Sequence, residues 1–371
     1  MKKIPFLRPN LVKHETLTDY LKEIDNSRIY SNFGPLNSQF EKRVLKDYFD
    51  DCGDVTTVNN ATIGLMLAIS QSKLPKGKYA IMPSFTFAAT PLAAIWCGLE
   101  PLFVDIRPDD WCMDENVVQE LLHKHGEDVA VVVPYATFGN PMNLDYYRYI
   151  HENGTPVVVD AAASFGVTEA QNQFGKGFPG AVVFSFHATK SFGVGEGGLI
   201  YSNNKNFISK VRQAENFGFS KNRESTQTGL NGKMSEYTVA VALSTLDNFD
   251  KKIKTRQQIY HWYLEELNRG NLLEKGWLVQ NTKGSIPYQF MPICCPEGQQ
   301  NTEIIRFLGS QNIEARTYFS PPCHNQPLFQ KYSHTPLPVT ERISNQILSL
   351  PLWEEMTNDD VCTVVERLGL S

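Results

Sequence analysis

The side chains best suited to chemistry lie in one stretch, Val182–Gly198, which reads VVFSFHATKSFGVGEGG. An apolar run ending at Ser185 leads into a polar turn with His187 and Thr189, then Lys190. Gly193, Gly195, Gly197 and Gly198 follow, before a second apolar run, Leu199–Tyr201. A lysine in an ordinary loop is solvated. One between two buried strands must be paired, neutral or covalently used, because stripping water from an ammonium is costly. The second signal is Asp160, which ends the apolar run Pro156–Asp160. An acid and a lysine at the ends of neighbouring strands suit a pyridoxal phosphate site. There the lysine bonds to the cofactor's aldehyde and the acid keeps the pyridine nitrogen protonated.

Such residues need a scaffold, and the chain is long enough to supply one. Its 371 residues are 42% hydrophobic and 20% charged, with a net charge of −5, which fits a large core plus a smaller second domain. The acidic balance and the lack of a basic run argue against a nucleic-acid partner. No stretch has the length of a membrane span, and MKKIPFLRPN lacks the apolar segment of a signal peptide. Seven scattered cysteines without metal-ligand spacing read as reduced thiols of a cytoplasmic protein with no metal centre. Short apolar runs at Val55–Asn59, Tyr79–Met82, Pro101–Asp105, Val129–Pro134, Pro156–Asp160, Val182–Ser185 and Gly198–Ser202 alternate with amphipathic spans. That alternation predicts an α/β fold with a mostly parallel sheet flanked by helices. From Lys233 the spacing of Val239, Leu243, Leu246 and Phe249 predicts one long helix towards Leu267. A strand near Tyr288–Cys294, a helix near Glu303–Leu308 and a strand at Ile313–Tyr318 predict a small α+β domain. The expected division is a large domain over 1–250 and a small one over 251–371.

Ligands in such sheets sit beyond the carboxyl ends of the strands, and the residues there have two readings each. Ala61 and Thr62, opening the helix in NNATIG, suit a phosphate, or Asn60 is an ordinary cap. Phe87 in PSFTF lies flat on an aromatic cofactor or packs in the core. Asp160 is the ring partner or a helix cap, and Ser185 binds a ligand or a backbone group. The glycines of GVGEGG lack the Lys-Ser/Thr of a P-loop and precede a strand, so they mark tight backbone packing beside Lys190.

Beyond these separate signals, the chain resembles the DegT/StrS-type nucleotide-sugar aminotransferases, within the fold type I pyridoxal phosphate enzymes. The resemblance runs through SNFGPLNSQFEK, NNATIGLMLA, PSFTFAATPLA, PLFVDIRPDDWCMD, VVVDAAASFG, FSFHATKSFGVGEGG, NFGF, GLNGKMSE, HNQPLF and LSLPLW. It implies that Lys190 is the Schiff-base lysine, Asp160 the partner of the ring nitrogen and Phe87 the stacking ring. By the same likeness Ala61, Thr62 and Ser185 bind the cofactor phosphate. Asn231 reaches the phosphate of the neighbouring subunit, which implies a homodimer with shared sites. Two positions depart from the family pattern: Ala163 stands where Gln or His is usual, near the cofactor's phenolic oxygen, and Ala61 where Gly is common.

The resemblance also implies a reaction. An amino group moves from L-glutamate to a nucleotide-linked keto sugar by ping-pong kinetics, with the freed Lys190 as general base. The blocks SFHATK, NFGF and GLNGKMSE are most similar to the branch that aminates dTDP-4-keto-6-deoxyglucose, giving a 4-amino-4,6-dideoxyhexose for surface polysaccharide. His187, Tyr318 and His324 are the substrate-side candidates. A 3-keto or GDP-linked 4-keto sugar is the alternative within the class. A sugar dehydratase and a non-catalytic binding relative are the alternatives outside it.

Overall fold

A computed structural model describes residues 2–371. Seven strands form the central layer: β1 (Asp54–Val58), β2 (Tyr79–Pro83), β3 (Glu100–Val104), β4 (Val129–Val132), β5 (Val158–Asp160), β8 (Ala181–Ser185) and β9 (Gly198–Ser202). A surface hairpin supplies β6 (Thr168–Glu169) and β7 (Asn172–Gln173). The order across the layer is β1-β9-β8-β5, then β4-β2-β3, with β4 and β5 joined by the bridges Val132↔Val157 and Tyr135↔Asp160. β9 runs antiparallel to β1 and β8, while the β5–β8, β2–β3 and β2–β4 pairs are parallel. The expected mostly parallel sheet is thus present, with one reversed strand.

The helices are α1 (Thr18–Ser27), α2 (Pro35–Phe49), α3 (Ala61–Ser72), α4 (Ala89–Trp96), α5 (Glu115–His125), α6 (Leu144–Glu152), α7 (Lys205–Ala214), α8 (Glu236–Leu246) and α9 (Phe249–Arg269). Alternate strand residues feed two apolar layers. Val183 and Ile200 pack with α3, α4 and α7, whereas Val182, Phe184, Leu199 and Tyr201 pack with α2, α5, α6 and α8. Covering both faces explains why these strands read as unbroken apolar runs.

The expected long helix from Lys233 is two helices. Ser235 caps α8 by accepting from the Thr238 amide. α8 ends where Asp247 is taken up by Arg43 at 2.8 Å and by Tyr20 at 3.1 Å. Non-helical Asn248 then starts α9, so the apolar spacing persists across a break in the helix.

The C-terminal unit has an antiparallel sheet, β10 (Leu278–Val279), β11 (Met291–Cys294) and β12 (Ile347–Leu350), with helices α10 (Asn301–Ser310), α11 (Pro338–Gln346) and α12 (Asn358–Leu368). The N-terminal segment packs on this unit, since Ile4 bridges Ile313 and Trp353 Nε1 donates to Pro5 O at 3.0 Å. The expected strand Ile313–Tyr318 makes only the bridges Ile4↔Ile313 and Arg316↔Ser349 and passes into a turn at Tyr318. Among the described residues all seven cysteines are unpaired and no helix is long and apolar enough to cross a membrane.

Candidate active site

β1, β8 and β9 meet at one edge of the sheet, where Val58 and Ser185 both pair with Gly198. A Cβ on Gly198 would lie 2.8 Å from Phe184 O, 3.0 Å from Val58 Cγ2 and 3.1 Å from the Ala61 amide nitrogen. Only glycine lets α3 start this close to the strands. Asn60 caps α3, its Oδ1 accepting from Ile63 N at 2.9 Å and its carbonyl from Gly64 N at 3.0 Å. The amides of Ala61 and Thr62 have no helical carbonyl to reach, so they face outward as donors at the positive end of the helix. Thr62 and Ser185 line the same space, a cavity of about 780 Å³.

Lys190 lies on a turn clamped from both sides. Phe186 and Phe192 pack 4.7 Å apart and join Phe40, Phe165 and Phe249 in an aromatic cluster beneath it. Burying each ring contributes about 1.5–3 kcal/mol. The glycine loop folds back on the turn: Ala188 N donates to Gly195 O at 2.7 Å, and a Cβ on Gly193 would sit 2.6 Å from Ala188 O. Tight packing accounts for Gly193, Gly197 and Gly198, whereas Gly195 has open space around it and is required by its φ of +108°. Burial pushes the Lys190 amine down, more than the neighbouring Asp160 carboxylate holds it up, and the net value is about 8.

Asp160 is 3% exposed. Its Oδ2 accepts from Thr90 Oγ1 at 2.6 Å and its Oδ1 from Ala162 N at 3.2 Å. Burial raises its carboxyl above the ordinary value, while Thr90, the Ala162 amide and Lys190 oppose that rise. Thr90 is a residue that sequence reasoning missed; its signal is a hydroxyl one turn after Thr86, to which it bonds at 2.8 Å.

The cavity brings together Ala61, Thr62, Phe87, Asp160, Ser185, His187, Lys190 and Tyr318, with Ala163 on its wall. Phe87, on the connection from β2 to α4, is 58% exposed, unusual for a phenylalanine and consistent with a face kept for a ligand. The cavity also takes in Tyr135, Gln289 and Phe319, which the sequence did not single out.

Two candidates lie elsewhere. His324 is buried outside the cavity. Its Nδ1 is 2.7 Å from Ser84 Oγ and its backbone N donates to the same oxygen at 3.0 Å. His324, expected on the substrate side, thus does not line this cavity and ties the segment carrying Tyr318 to the end of β2. Burial lowers its pKa. Asn231 is exposed on the strand-like pairing Asn216↔Asn231 and does not line the cavity of its own chain.

An acid, an amine, an exposed ring and a helix N-terminus on one cavity match the donor set of pyridoxal phosphate. Its ring nitrogen would meet Asp160, its aldehyde Lys190 and its phosphate the start of α3. Among the described residues no group of three or more His, Cys, Asp or Glu is placed to hold a metal ion.

Comparison with known proteins points to the same cofactor. The model of the DegT/DnrJ/EryC1/StrS aminotransferase family matches residues 12–369. Protein Rv3402c of Mycobacterium tuberculosis is 33% identical, over 98% of this chain and 89% of that protein. The dTDP-4-amino-4,6-dideoxy-D-glucose transaminase of Escherichia coli is 27% identical, over 99% and 98%. The GDP-perosamine synthase of Caulobacter vibrioides is 26% identical, over 94% of each. Among solved structures, a Bacillus cereus protein assigned as a PLP-dependent aminotransferase superposes with a TM-score of 0.98 and 51% identity, over 99% of this chain and 100% of that one. DesI in the presence of its TDP-sugar product gives 0.90 and 32%, over 100% and 93%.

Proposed function

The chain belongs to the DegT/DnrJ/EryC1/StrS aminotransferase family of pyridoxal-phosphate-dependent nucleotide-sugar enzymes, and on that premise we propose that it aminates dTDP-4-keto-6-deoxyglucose at the expense of L-glutamate. One observation carries the assignment of roles: Lys190, Asp160 and the N-terminus of α3 open onto a single cavity.

In this reading α3 and Ser185 hold the phosphate, Phe87 covers the ring, and Lys190 holds the cofactor through its aldehyde carbon. Pyridoxal phosphate, when bound, supplies the ring that takes up the electron pair left by a departing proton. Asp160 keeps a proton on the ring nitrogen. The freed Lys190 Nζ takes the proton from the donor's α-carbon and returns one later. A base must be neutral to act: an ordinary lysine is roughly 0.3% neutral near pH 8, whereas one pushed down to about 8 is half neutral there.

A nucleotide sugar and glutamate are both anionic, yet Lys190 is the single lysine or arginine among the described residues lining the cavity. That scarcity supports a homodimer in which a second copy completes the site, with Asn231 on the segment that crosses. The dTDP-linked substrate is favoured by the E. coli transaminase and by DesI. A GDP-linked 4-keto sugar is the second reading, because the likeness to GDP-perosamine synthase is nearly as great.

Two measurements test the proposal. Lys190→Ala is expected to abolish turnover and the visible absorbance of the bound cofactor; a variant that transaminates at the parent rate overturns the role of Lys190. Incubation with glutamate and a panel of keto sugars is expected to yield dTDP-4-amino-4,6-dideoxyglucose. Preference for the GDP-linked sugar would move the assignment to the second reading.

A further inference from the structure

Gln289 reaches the active-site lysine from the other domain. It lies just before β11, 99 residues along the chain from Lys190, and its Oε1 accepts from Lys190 Nζ at 3.0 Å. Its backbone is itself held. Buried Arg256 of α9 donates through Nη1 to Tyr288 O at 2.7 Å and to Gln289 O at 3.4 Å, while its Nε bonds Glu354 at 2.9 Å.

A primary amide can offer either its carbonyl or its NH₂, and the two ends act oppositely on an amine. Here the neighbours decide which end faces Lys190. The backbone N–H of Thr189 points at His187 Nδ1, 3.3 Å away, so that nitrogen carries a lone pair and the ring proton sits on Nε2. Nε2 faces Glu196 Oε1 at 3.6 Å. The Thr189 hydroxyl, 2.8 Å from the same Nδ1, must then donate to it. Only the hydroxyl's lone pairs are left for Gln289, whose Nε2 donates to Thr189 Oγ1 at 3.2 Å. The carbonyl is thereby turned towards the lysine.

We infer that Gln289 is a positioning residue for Lys190: it holds the amine in place whenever the lysine is not joined to the cofactor, in an orientation set through Thr189 and His187. The inference rests on the reading of Lys190 as the cofactor lysine. Its use is physical. A released lysine has a long flexible stem, and an acceptor that fixes Nζ reduces the conformations it must search. A neutral acceptor does so with less bias towards the ammonium than a carboxylate would bring. The other charged groups facing the lysine are Asp160 from the end of β5 and, around a narrow crevice that Lys190 also borders, Arg8, Lys252 and Arg256. Because Gln289 belongs to the C-terminal unit, it also makes the lysine's position depend on how that unit sits on the sheet.

The test measures the amine directly, in apoprotein freed of cofactor. Lys190 is labelled competitively with acetic anhydride from roughly pH 6 to 11, and its peptide is read by mass spectrometry. In Q289A the lost acceptor is expected to move the titration midpoint down by about one pH unit, the worth of one hydrogen bond to a charged group. In Q289E the added carboxylate is expected to move it up by at least as much. T189V, nearly isosteric, frees the amide to turn and is expected to give a smaller downward shift. In the loaded enzyme Q289A is expected to lower kcat about tenfold with little change in KM for glutamate. Opposite shifts from Ala and Glu would not come from a merely structural role. Midpoints unmoved in all three variants would overturn the inference, and if Q289A fails to fold by circular dichroism, Q289E and T189V decide it. Borohydride reduction keeps the two readings apart. Cofactor fixed on a different lysine sinks the assignment of Lys190, whereas cofactor fixed on Lys190 with unmoved midpoints sinks only the role of Gln289.

Discussion

The two ends of the cavity are built from different materials. At the end proposed to hold the phosphate the groups come from one edge of one sheet: the Ala61 and Thr62 amides at the start of α3, the Ser185 hydroxyl closing β8, and Gly198 letting them approach. At the amine end Lys190 follows β8 and Asp160 ends β5, but Gln289 comes from the C-terminal unit and Thr90 from α4. The first end is secured by backbone geometry. The second depends on long-range placement of side chains, each held by another. The comparison implies a division of labour: changes at the phosphate end should alter cofactor affinity, and changes at the amine end should alter turnover.

The largest expected effect lies at the amine end. Asp160→Ala should lower kcat by roughly a thousandfold, the scale of removing one preorganised electrostatic partner. The intact start of α3 should keep cofactor affinity within about tenfold. Steady-state turnover and equilibrium binding of pyridoxal phosphate together check this. Turnover within tenfold of the parent would remove Asp160 from the chemistry and with it the contrast between the ends.

At the phosphate end, Gly198→Val should do the reverse. Its branched side chain would collide with Phe184 O, Val58 and the Ala61 amide, and overpacking of this kind costs about 1–3 kcal/mol. Displacing the start of α3 should weaken cofactor binding by ten- to a hundredfold, with kcat at saturating cofactor changed only a few-fold. A large loss of kcat at unchanged affinity would show that the two ends are not separable.

The same contrast accounts for what could be read without a structure. Val182–Ser185 and Gly198–Ser202 are legible because strands buried on both faces need apolar residues throughout, and Lys190 and Asp160 stand out against those runs. The start of α3 at Asn60–Thr62 is legible because a cap and a helix start are local events. Gln289 is not, since nothing in PYQFMP says which side chain it will meet 99 residues away. Thr90 is hidden in an apolar helix start. The contact of His324 was hidden for a related reason: its partner Ser84 lies 240 residues away in sequence. The long helix broke at Asp247 because Arg43 and Tyr20, distant in sequence, engage that carboxylate.

The smallest expected effect is the sharpest test of the division, because it sets two hydroxyls at one end against each other. Thr62→Ala removes one donor near the phosphate while the amides at the start of α3 stay in place. Cofactor affinity should therefore fall only about tenfold, as for one hydrogen bond to a charged group, with the pH dependence of turnover unchanged. Ser185→Ala should cost a similar factor, but Ser185 Oγ also accepts from His187 N at 3.3 Å. Its loss loosens the ring that orients Thr189 and, through it, Gln289. Ser185→Ala is thus expected to move the pH profile of kcat where Thr62→Ala does not. Identical profiles for the two variants would mean that the His187 backbone is held well enough by its other contacts, and that the two ends of the cavity are joined only by the cofactor that spans them.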